Sequence, residues 1–292
     1  MVRQESFRII TATVKAIRSR INAVLGAKVG VPGRLKSRID PLMLPLDPDE
    51  QVGFKLYHQF QGCTDNAKFL SCHVSVLVHG HCPHPPHTHS EEEILLLLAG
   101  EADLILPRMA SSEGKQEFRL TPGQFVYYPA YFPHTLRTVS AHPANYLMFK
   151  WRAPCRNRAQ LDFGRFDIAK FYFTDENSTG FKSRLLFEGP TGCLGKLHAH
   201  ATTLAPGAGY KPHVDRHDGA IVILQGEVET LGQRVRPHGI IYFAAGEPHG
   251  MHNPGAQPAR YVVFEFHRRV PLLRKITDPQ RWKGKLKAAW RR

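Results

Sequence analysis

Short apolar runs, separated by turn residues, fill the middle of the chain. Residues 68–78, 94–99, 125–128 and 146–151 are runs of strand length, and Gly or Pro follows several of them. A hydrophobic share of 42% with 24 Gly and 22 Pro is typical of turn-rich β-proteins. We therefore predict an all-β fold.

The pattern occurs twice. Residues 194–204, 220–225 and 240–243 repeat the spacing of the earlier runs, and each half closes with an apolar strand, at 146–151 and 261–266. Such a repeat indicates an internal duplication. The predicted organisation is an N-terminal extension (1–45), a first β-domain (46–151), a linker (152–162), a second β-domain (163–267) and a C-terminal tail (268–292).

Both ends of the chain are basic and amphipathic. Residues 1–39 carry nine Lys or Arg against Glu5, and residues 268–292 carry ten against Asp278, so the remainder is slightly acidic. The apolar spacing predicts a helix at each end. Four interpretations stay open: packing on the β-domains or on a homodimer partner, peripheral membrane contact, an organelle-targeting segment in 1–39, or nucleic-acid contact. The last is not expected, because the β-domains show no basic patch interleaved with aromatic residues.

The cysteines and the hydropathy bear on location. Five cysteines, with no C-x-x-C pair, argue against a disulfide framework and for a reducing compartment. No apolar run reaches transmembrane length and no secretory signal opens the chain, so a cytoplasmic protein is expected.

Candidate metal ligands cluster in the first half. His87, His89 and Glu93 have the parity of one strand face, and a loop rich in proline delivers His134 after the run 124–128. These residues predict a metal site inside a small barrel. The alternative is a solvated histidine-rich loop, since His79, His81 and His84 are also nearby.

The spacing resembles that of the cupin family. The family's first motif, H-x-H, three residues, E, six residues, G, matches His87, His89, Glu93 and Gly100, and its second motif matches Gly123, Pro129 and His134. The resemblance implies two tandem antiparallel double-stranded β-helix barrels, a bicupin, to which the helices predicted from spacing would add short extensions at both ends. It also implies one divalent transition metal, most simply iron, with manganese, nickel or zinc as alternatives, held by three His and one Glu.

The second half departs from this pattern. His213 and His249 match the first and last histidines, but Asp215 replaces the second histidine and Gly219 replaces the glutamate. Either this barrel has lost its metal, or His213, Asp215 and His249, with or without His217, form a second site. Such a set resembles that of the 2-oxoglutarate oxygenases, in which case Arg260 would hold a cosubstrate carboxylate.

We expect a metal-dependent enzyme that acts on a small organic substrate. An oxygenase of the dioxygenase type ranks first, and an isomerase or hydrolase of a sugar or polar metabolite ranks second. A non-catalytic bicupin that binds a small molecule is the third interpretation. Glu91 shares the parity of Glu93 and is a candidate general base, although solvation of Glu91 and Glu92 at the rim is the simpler expectation.

Overall fold

The computed structural model describes residues 33–107, 116–153, 161–172 and 180–269. Within these ranges the regular structure is β-strand, apart from one short 3-10 helix at Ile168–Phe171. The all-β prediction is confirmed. The predicted terminal helices fall mainly on residues 1–32 and 270–292, outside the described residues.

Nineteen strands are present in the described ranges. Those of the first barrel and its surroundings are β1 (Arg38–Asp40), β2 (Phe54–Gly62), β3 (Phe69–Leu77), β4 (Glu92–Ala99), β5 (Ala102–Leu106), β6 (Gln116–Leu120), β7 (Gln124–Tyr128), β8 (Thr135–Thr138), β9 (Ala144–Arg152) and β10 (Gly164–Asp167). Those that follow are β11 (Phe181–Gly189), β12 (Lys196–Leu204), β13 (Gly209–Val214), β14 (Asp218–Gln225), β15 (Val228–Thr230), β16 (Gln233–Val235), β17 (Ile240–Phe243), β18 (Pro248–His252) and β19 (Ala259–His267).

Each barrel combines a large and a small antiparallel sheet. In the first barrel, the six-stranded order is β10-β7-β4-β9-β3-β2 and the small sheet is β6-β5-β8. In the second barrel, the orders are β1-β17-β14-β19-β12-β11 and β13-β18-β15-β16. The central triplets β7-β4-β9 and β17-β14-β19 are equivalent, which reflects the duplication seen in the sequence.

The two barrels exchange edge strands. Strand β1 precedes the first barrel in the chain, yet it pairs with β17 of the second, with Ile39 opposite Ile241. Strand β10 lies in the range assigned to the second barrel, yet it pairs with β7 of the first, with Phe166 opposite Phe125. The sequence-based assignment of these two strands is thereby corrected. Residues 33–45, expected to be helical, contain this strand instead.

Alternation of side chains along the strands creates three apolar clusters. One cluster lies between the two six-stranded sheets and draws on both barrels, for example through Phe125, Phe149 and Phe264. The other two fill the barrel interiors; Leu95, Leu97 and Leu136 belong to the first and Ile221 and Val263 to the second. A central strand such as β4 is therefore apolar on both faces.

The cysteines differ in their state. Cys63, Cys72 and Cys82 are free thiols, whereas Cys193 is disulfide-bonded, so the expectation of no disulfide is corrected at that residue.

Among the described residues, the structure has no helix of the length and apolarity needed to cross a bilayer.

Candidate metal centre

An antiparallel bridge places two of the histidines side by side. His87 and His134 each donate their backbone N–H to the other's carbonyl, both at 3.2 Å. His87 and His89 lie in the irregular segment before β4, not in a strand as predicted. Pro83, Pro85 and Pro86 lack the backbone donors that a regular ladder would need. The bridge therefore supplies the alignment that the pleat was expected to give.

Three of the four predicted ligands converge closely. His89 Nε2 lies 2.9 Å from Glu93 Oε2, and His134 Nε2 lies 3.1 Å from Glu93 Oε1. The ligand atoms of these three residues all lie within 4.8 Å of one another. His87 is outside that set of three, but its ring centre is 5.4 Å from that of His89 and 5.3 Å from that of His134. The fourth ligand is thus adjacent to the other three.

Backbone carbonyls orient the two closest imidazoles. His89 Nδ1 donates to the carbonyl of Glu91 at 3.0 Å, and His134 Nδ1 donates to that of Phe132 at 2.8 Å. In each ring Nε2 is then left facing Glu93. Tyr128 stacks on the His134 ring at 4.0 Å and fixes its plane. Carbonyl-anchored imidazoles with the second nitrogen turned inward are typical of metal ligands.

The buried donor atoms fit a divalent transition metal. Among the described residues, His87 Nδ1, His89 Nε2 and both carboxylate oxygens of Glu93 are buried without an aligned hydrogen bond, even though the nitrogen–oxygen distances are short. Buried polar atoms without partners are costly, and a bound cation would satisfy these. Imidazole and carboxylate donors suit iron, manganese, nickel or zinc. Burial and the neighbouring imidazoles lower the pKa of His87 to about 3, which keeps the ring neutral, as a ligand must be.

Lys150 is a site residue that the sequence analysis missed. It lies opposite Glu93 in the β4–β9 ladder, with Nζ 3.0 Å from Glu93 Oε2. Burial alone would raise the pKa of Glu93, but Lys150 and the two imidazoles outweigh it and hold that pKa well below its usual range. The available signal was parity: Lys150 shares the parity of Tyr146 and Met148, which face the barrel interior.

The two glutamates that precede Glu93 differ in environment. Glu91 lies at the rim, with Oε2 3.7 Å from His89 Nδ1 and Oε1 3.5 Å from Arg152. Glu92, expected to be solvated, is completely buried and accepts hydrogen bonds from Trp151, Thr191 and Cys193. The expectation for Glu92 was wrong because its parity directs it into the shared core.

The second barrel assembles an equivalent group. His213 Nε2 and His249 Nε2 lie 3.3 and 3.4 Å from Asp215 Oδ2, and the ligand atoms of the three residues all lie within 4.8 Å of one another. His217 Nε2 is 3.8 Å from the same Asp215 oxygen and 3.4 Å from Glu265 Oε2. It therefore bridges this group to Glu265, a residue that the sequence analysis did not single out.

Glu265 is surrounded by imidazoles. Its Oε2 lies 2.7 Å from His267 Nε2, and His200 Nδ1 lies 4.0 Å from its other oxygen. Burial would raise the pKa of Glu265, but the hydrogen bond to His267 and the nearby histidines lower it to about 2. A cavity of about 300 Å³ lies over these groups; its lining includes Tyr210, Phe243, Tyr261 and Val263.

Arg260 does not take part in this cavity. Tyr261, Val263 and Glu265 line it, so the alternation of β19 directs Arg260 to the other face. There Arg260 donates to Gln225 Oε1 at 3.0 Å and lies 5.5 Å from the centre of the Tyr172 ring. The assignment of Arg260 to a cosubstrate carboxylate is therefore corrected.

Comparison with known proteins agrees with this architecture. The cupin domain model matches residues 73–150 and 200–265, one segment in each barrel. Among solved structures, a cupin 2 conserved barrel domain protein from Leptotrichia buccalis is similar with a TM-score of 0.53 and 11% identity, covering 76% of this chain and 92% of that one. AerE from Microcystis aeruginosa has a TM-score of 0.52 and 14% identity, covering 79% and 97%.

Two enzymes are also similar. Bacillus subtilis oxalate decarboxylase, studied for its Mn(II) centres, has a TM-score of 0.51 and 12% identity, with 71% of each chain covered. Dimethylsulfoniopropionate lyase DddQ of Ruegeria pomeroyi is 42% identical over 55 residues, which is 19% of this chain. The chain spans about a quarter (24%) of that curated relative.

The fold and the motif residues lead to one conclusion. Two matched segments coincide with two barrels built on the same strand order, and each barrel presents histidines and a carboxylate at the same end. The chain belongs to the cupin superfamily and is a bicupin.

Proposed function

We propose that this bicupin is a metal-dependent enzyme that acts on a small organic acid in the first barrel. The observation that carries the proposal is the convergence of His89, Glu93 and His134, with His87 beside them, on buried donor atoms that lack aligned partners. Such an arrangement is costly unless a cation satisfies it. In an octahedral ion such as iron, manganese or nickel, four protein ligands would leave coordination positions open for a substrate, as a catalytic site requires.

The charge balance favours an anionic substrate. Glu93 and Lys150 neutralise one another at 3.0 Å, so a divalent cation would leave the pocket positive. Within the described part of the chain the Tyr128 hydroxyl is buried without a hydrogen-bond partner, and burial followed by the charge of Glu93 raises its pKa well above the usual value. Tyr128 thus stays protonated and can donate to a substrate oxygen. Glu91 at the rim is the carboxylate we assign as proton acceptor.

A lyase reaction is the leading reaction class. In an elimination, Lys150 and Tyr128 would orient the substrate carboxylate, whose negative charge the bound cation would stabilise. Glu91 would accept the proton from the carbon next to that carboxylate, and the group on the following carbon would leave with the electron pair of its broken bond. The short match to dimethylsulfoniopropionate lyase, at 42% identity, supports this class.

The oxygenase expected from the sequence is the second candidate. Its support is the donor set, since imidazole and carboxylate ligands with open positions also suit ferrous iron and dioxygen. An isomerase, a hydrolase or a binding protein without turnover would use the same ligands. Measurements of metal content and turnover distinguish these alternatives. Peripheral membrane contact and homodimerisation also stay proposals.

Metal content tests the site itself. We expect His134→Ala to lower the metal bound per chain by one equivalent, measured by elemental mass spectrometry on protein purified without chelator. His142→Ala, which removes an exposed histidine of the same barrel, is the matched control and should keep the wild-type content. Equal metal content in the two variants would contradict the proposal.

Turnover with and without dioxygen separates the reaction classes. Dimethylsulfoniopropionate and oxalate are suitable first substrates, because they are those of the two similar enzymes. A lyase would release product under strict anaerobiosis, whereas an oxygenase would consume dioxygen in step with substrate. Loss of either activity in His134→Ala, but not in His142→Ala, would assign the reaction to the first barrel.

A further inference from the structure

The second barrel presents its histidines in the same way as the first. His249 Nδ1 donates to the carbonyl of Glu247 at 3.1 Å, two residues earlier, as His134 does with Phe132. His213 Nδ1 donates to the carbonyl of Lys211 at 3.2 Å. Phe243 stacks on His249 at 4.0 Å, as Tyr128 stacks on His134. Both Nε2 atoms are thereby fixed toward Asp215, which is the arrangement expected around a cation.

The carboxylates of the second barrel occupy other positions than Glu93 does: Asp215 lies between β13 and β14, and Glu265 lies on β19. Glu93 faces Lys150 across the β4–β9 ladder, whereas Gly219 faces Glu265 across the β14–β19 ladder. The cross-strand pair has thus changed from carboxylate and ammonium to glycine and carboxylate. Asp215, at the position of His89, restores one acidic ligand next to the two histidines.

We propose that the second barrel binds a divalent transition metal of its own through His213, Asp215 and His249. Two imidazoles and one carboxylate on one side of the ion form a facial set, which leaves more positions open than the four-residue set of the first barrel. Gly219 contributes no side chain to fill them; a Cβ built there meets only the Phe243 Cβ, at 4.0 Å.

His213, Asp215 and His249 line the cavity of about 300 Å³, so an ion held by them would be accessible from it. Glu265 and His217 lie on its polar side, and Tyr210, Tyr261 and Val263 lie on its apolar side. The chemistry of this lining fits a small molecule that chelates the metal through oxygen atoms and packs a carbon skeleton or ring against the aromatic side chains. This site is independent of the function proposed for the first barrel.

Metal stoichiometry tests the second site separately from the first. With Zn(II) as the probe, the wild-type chain should bind two equivalents, and Asp215→Ala and His249→Ala should each bind one. His252→Ala, on the same strand but exposed, should still bind two. His134→Ala combined with His249→Ala should bind none. Circular dichroism of each variant checks that the barrels remain folded.

A gain of affinity gives a second test that loss of folding cannot mimic. The double variant Gly219→Glu with Glu265→Lys copies the Glu93–Lys150 pair and supplies a fourth ligand. We expect the Zn(II) Kd of the second site, measured in the His134→Ala background, to fall at least about tenfold.

Two results would overturn the second site. One is a wild-type stoichiometry of one that His134→Ala abolishes and His249→Ala leaves unchanged, which would confine the metal to the first barrel. The other is an unchanged Zn(II) Kd in a folded double variant. A stoichiometry lowered by His249→Ala alone would instead contradict the first-barrel proposal and leave the second site standing.

Discussion

Glu92 and Glu93 are neighbours on β4, yet they point to opposite faces and have different functions. Glu93 faces the barrel interior and collects two imidazoles and Lys150. Glu92 faces the core between the sheets and accepts hydrogen bonds from Thr191 and Cys193, which lie in the loop between β11 and β12 of the second barrel. One step along a strand therefore separates a candidate metal ligand from a structural hydrogen-bond acceptor.

Glu92→Ala should destabilise the protein without removing a metal ligand. The change leaves the Trp151 indole N–H and the Thr191 hydroxyl without their buried acceptor, whereas the Cys193 backbone N–H still donates to Thr191 Oγ1 at 3.2 Å. We expect the free energy of unfolding in urea to fall by about 3 kcal/mol, since each buried donor without a partner costs about 1–3 kcal/mol. Glu91→Ala, at the rim, should cost less than about 1 kcal/mol. Equal effects of the two changes would contradict this role.

His73 should make the protein sensitive to acid. Burial, followed by the nearby charge of Lys150, lowers the pKa of His73 to about 3, against 6.5 for an exposed imidazole. Between these values the unfolded chain binds a proton that the folded chain does not, so stability is lost as the pH falls below 6.5. Its share of the loss between pH 7.5 and pH 5 is about 2 kcal/mol.

The variant His73→Leu should remove that share. Urea unfolding at the two pH values should show a smaller drop in stability than in the wild type, by about 2 kcal/mol. His142→Leu, at an exposed position, should keep the wild-type drop. An unchanged pH dependence in His73→Leu would show that folding does not lower the pKa of His73, so that the ring is protonated in the folded state as in the unfolded state.

Motif spacing predicted His87, His89, Glu93 and the more distant His134, and the ladders added residues that belong to no motif. His87, His89 and Glu93 occur within seven residues, so their spacing revealed them. Lys150 and Glu265 reach their sites only because β4 pairs with β9 and β14 with β19. Parity alone placed them on the interior face but could not supply the register that brings each opposite its partner.

Strand exchange joins the barrels in a nearly symmetric way. Asp218 precedes Gly219 as Glu92 precedes Glu93, and Asp218 accepts a hydrogen bond from Asn66 of the first barrel at 2.7 Å. Glu92 makes the reciprocal contact to Thr191, at 2.6 Å. Strands β1 and β10 cross in the same two directions. Domain boundaries drawn along the sequence could not reveal this exchange of strands, because an edge strand pairs with whichever sheet buries its apolar face.

The shared core makes the two barrels one folding unit. Both six-stranded sheets contribute to it: Phe60 lies 5.3 Å from Tyr242, and Trp151 lies 5.2 Å from Phe266, measured between ring centres. A barrel separated from its partner would expose this face along with the broken contacts of Glu92 and Asp218. Duplication thus supplied two sites, and the shared core couples the stability of the two barrels that contain them.

Unfolding should therefore be cooperative across both barrels. Phe264 of β19 packs against Phe125 and Phe149 of the first barrel, so Phe264→Ala should cost about 3–5 kcal/mol. In hydrogen exchange, the slowest amides of β9 and β19 should then lose protection by the same factor, although the change lies in the second barrel. Met43→Ala, at an exposed side chain, should alter neither strand. If the barrels unfold together, a cavity in the shared core destabilises both sheets. Loss of protection confined to β19 would therefore mean that the barrels unfold independently.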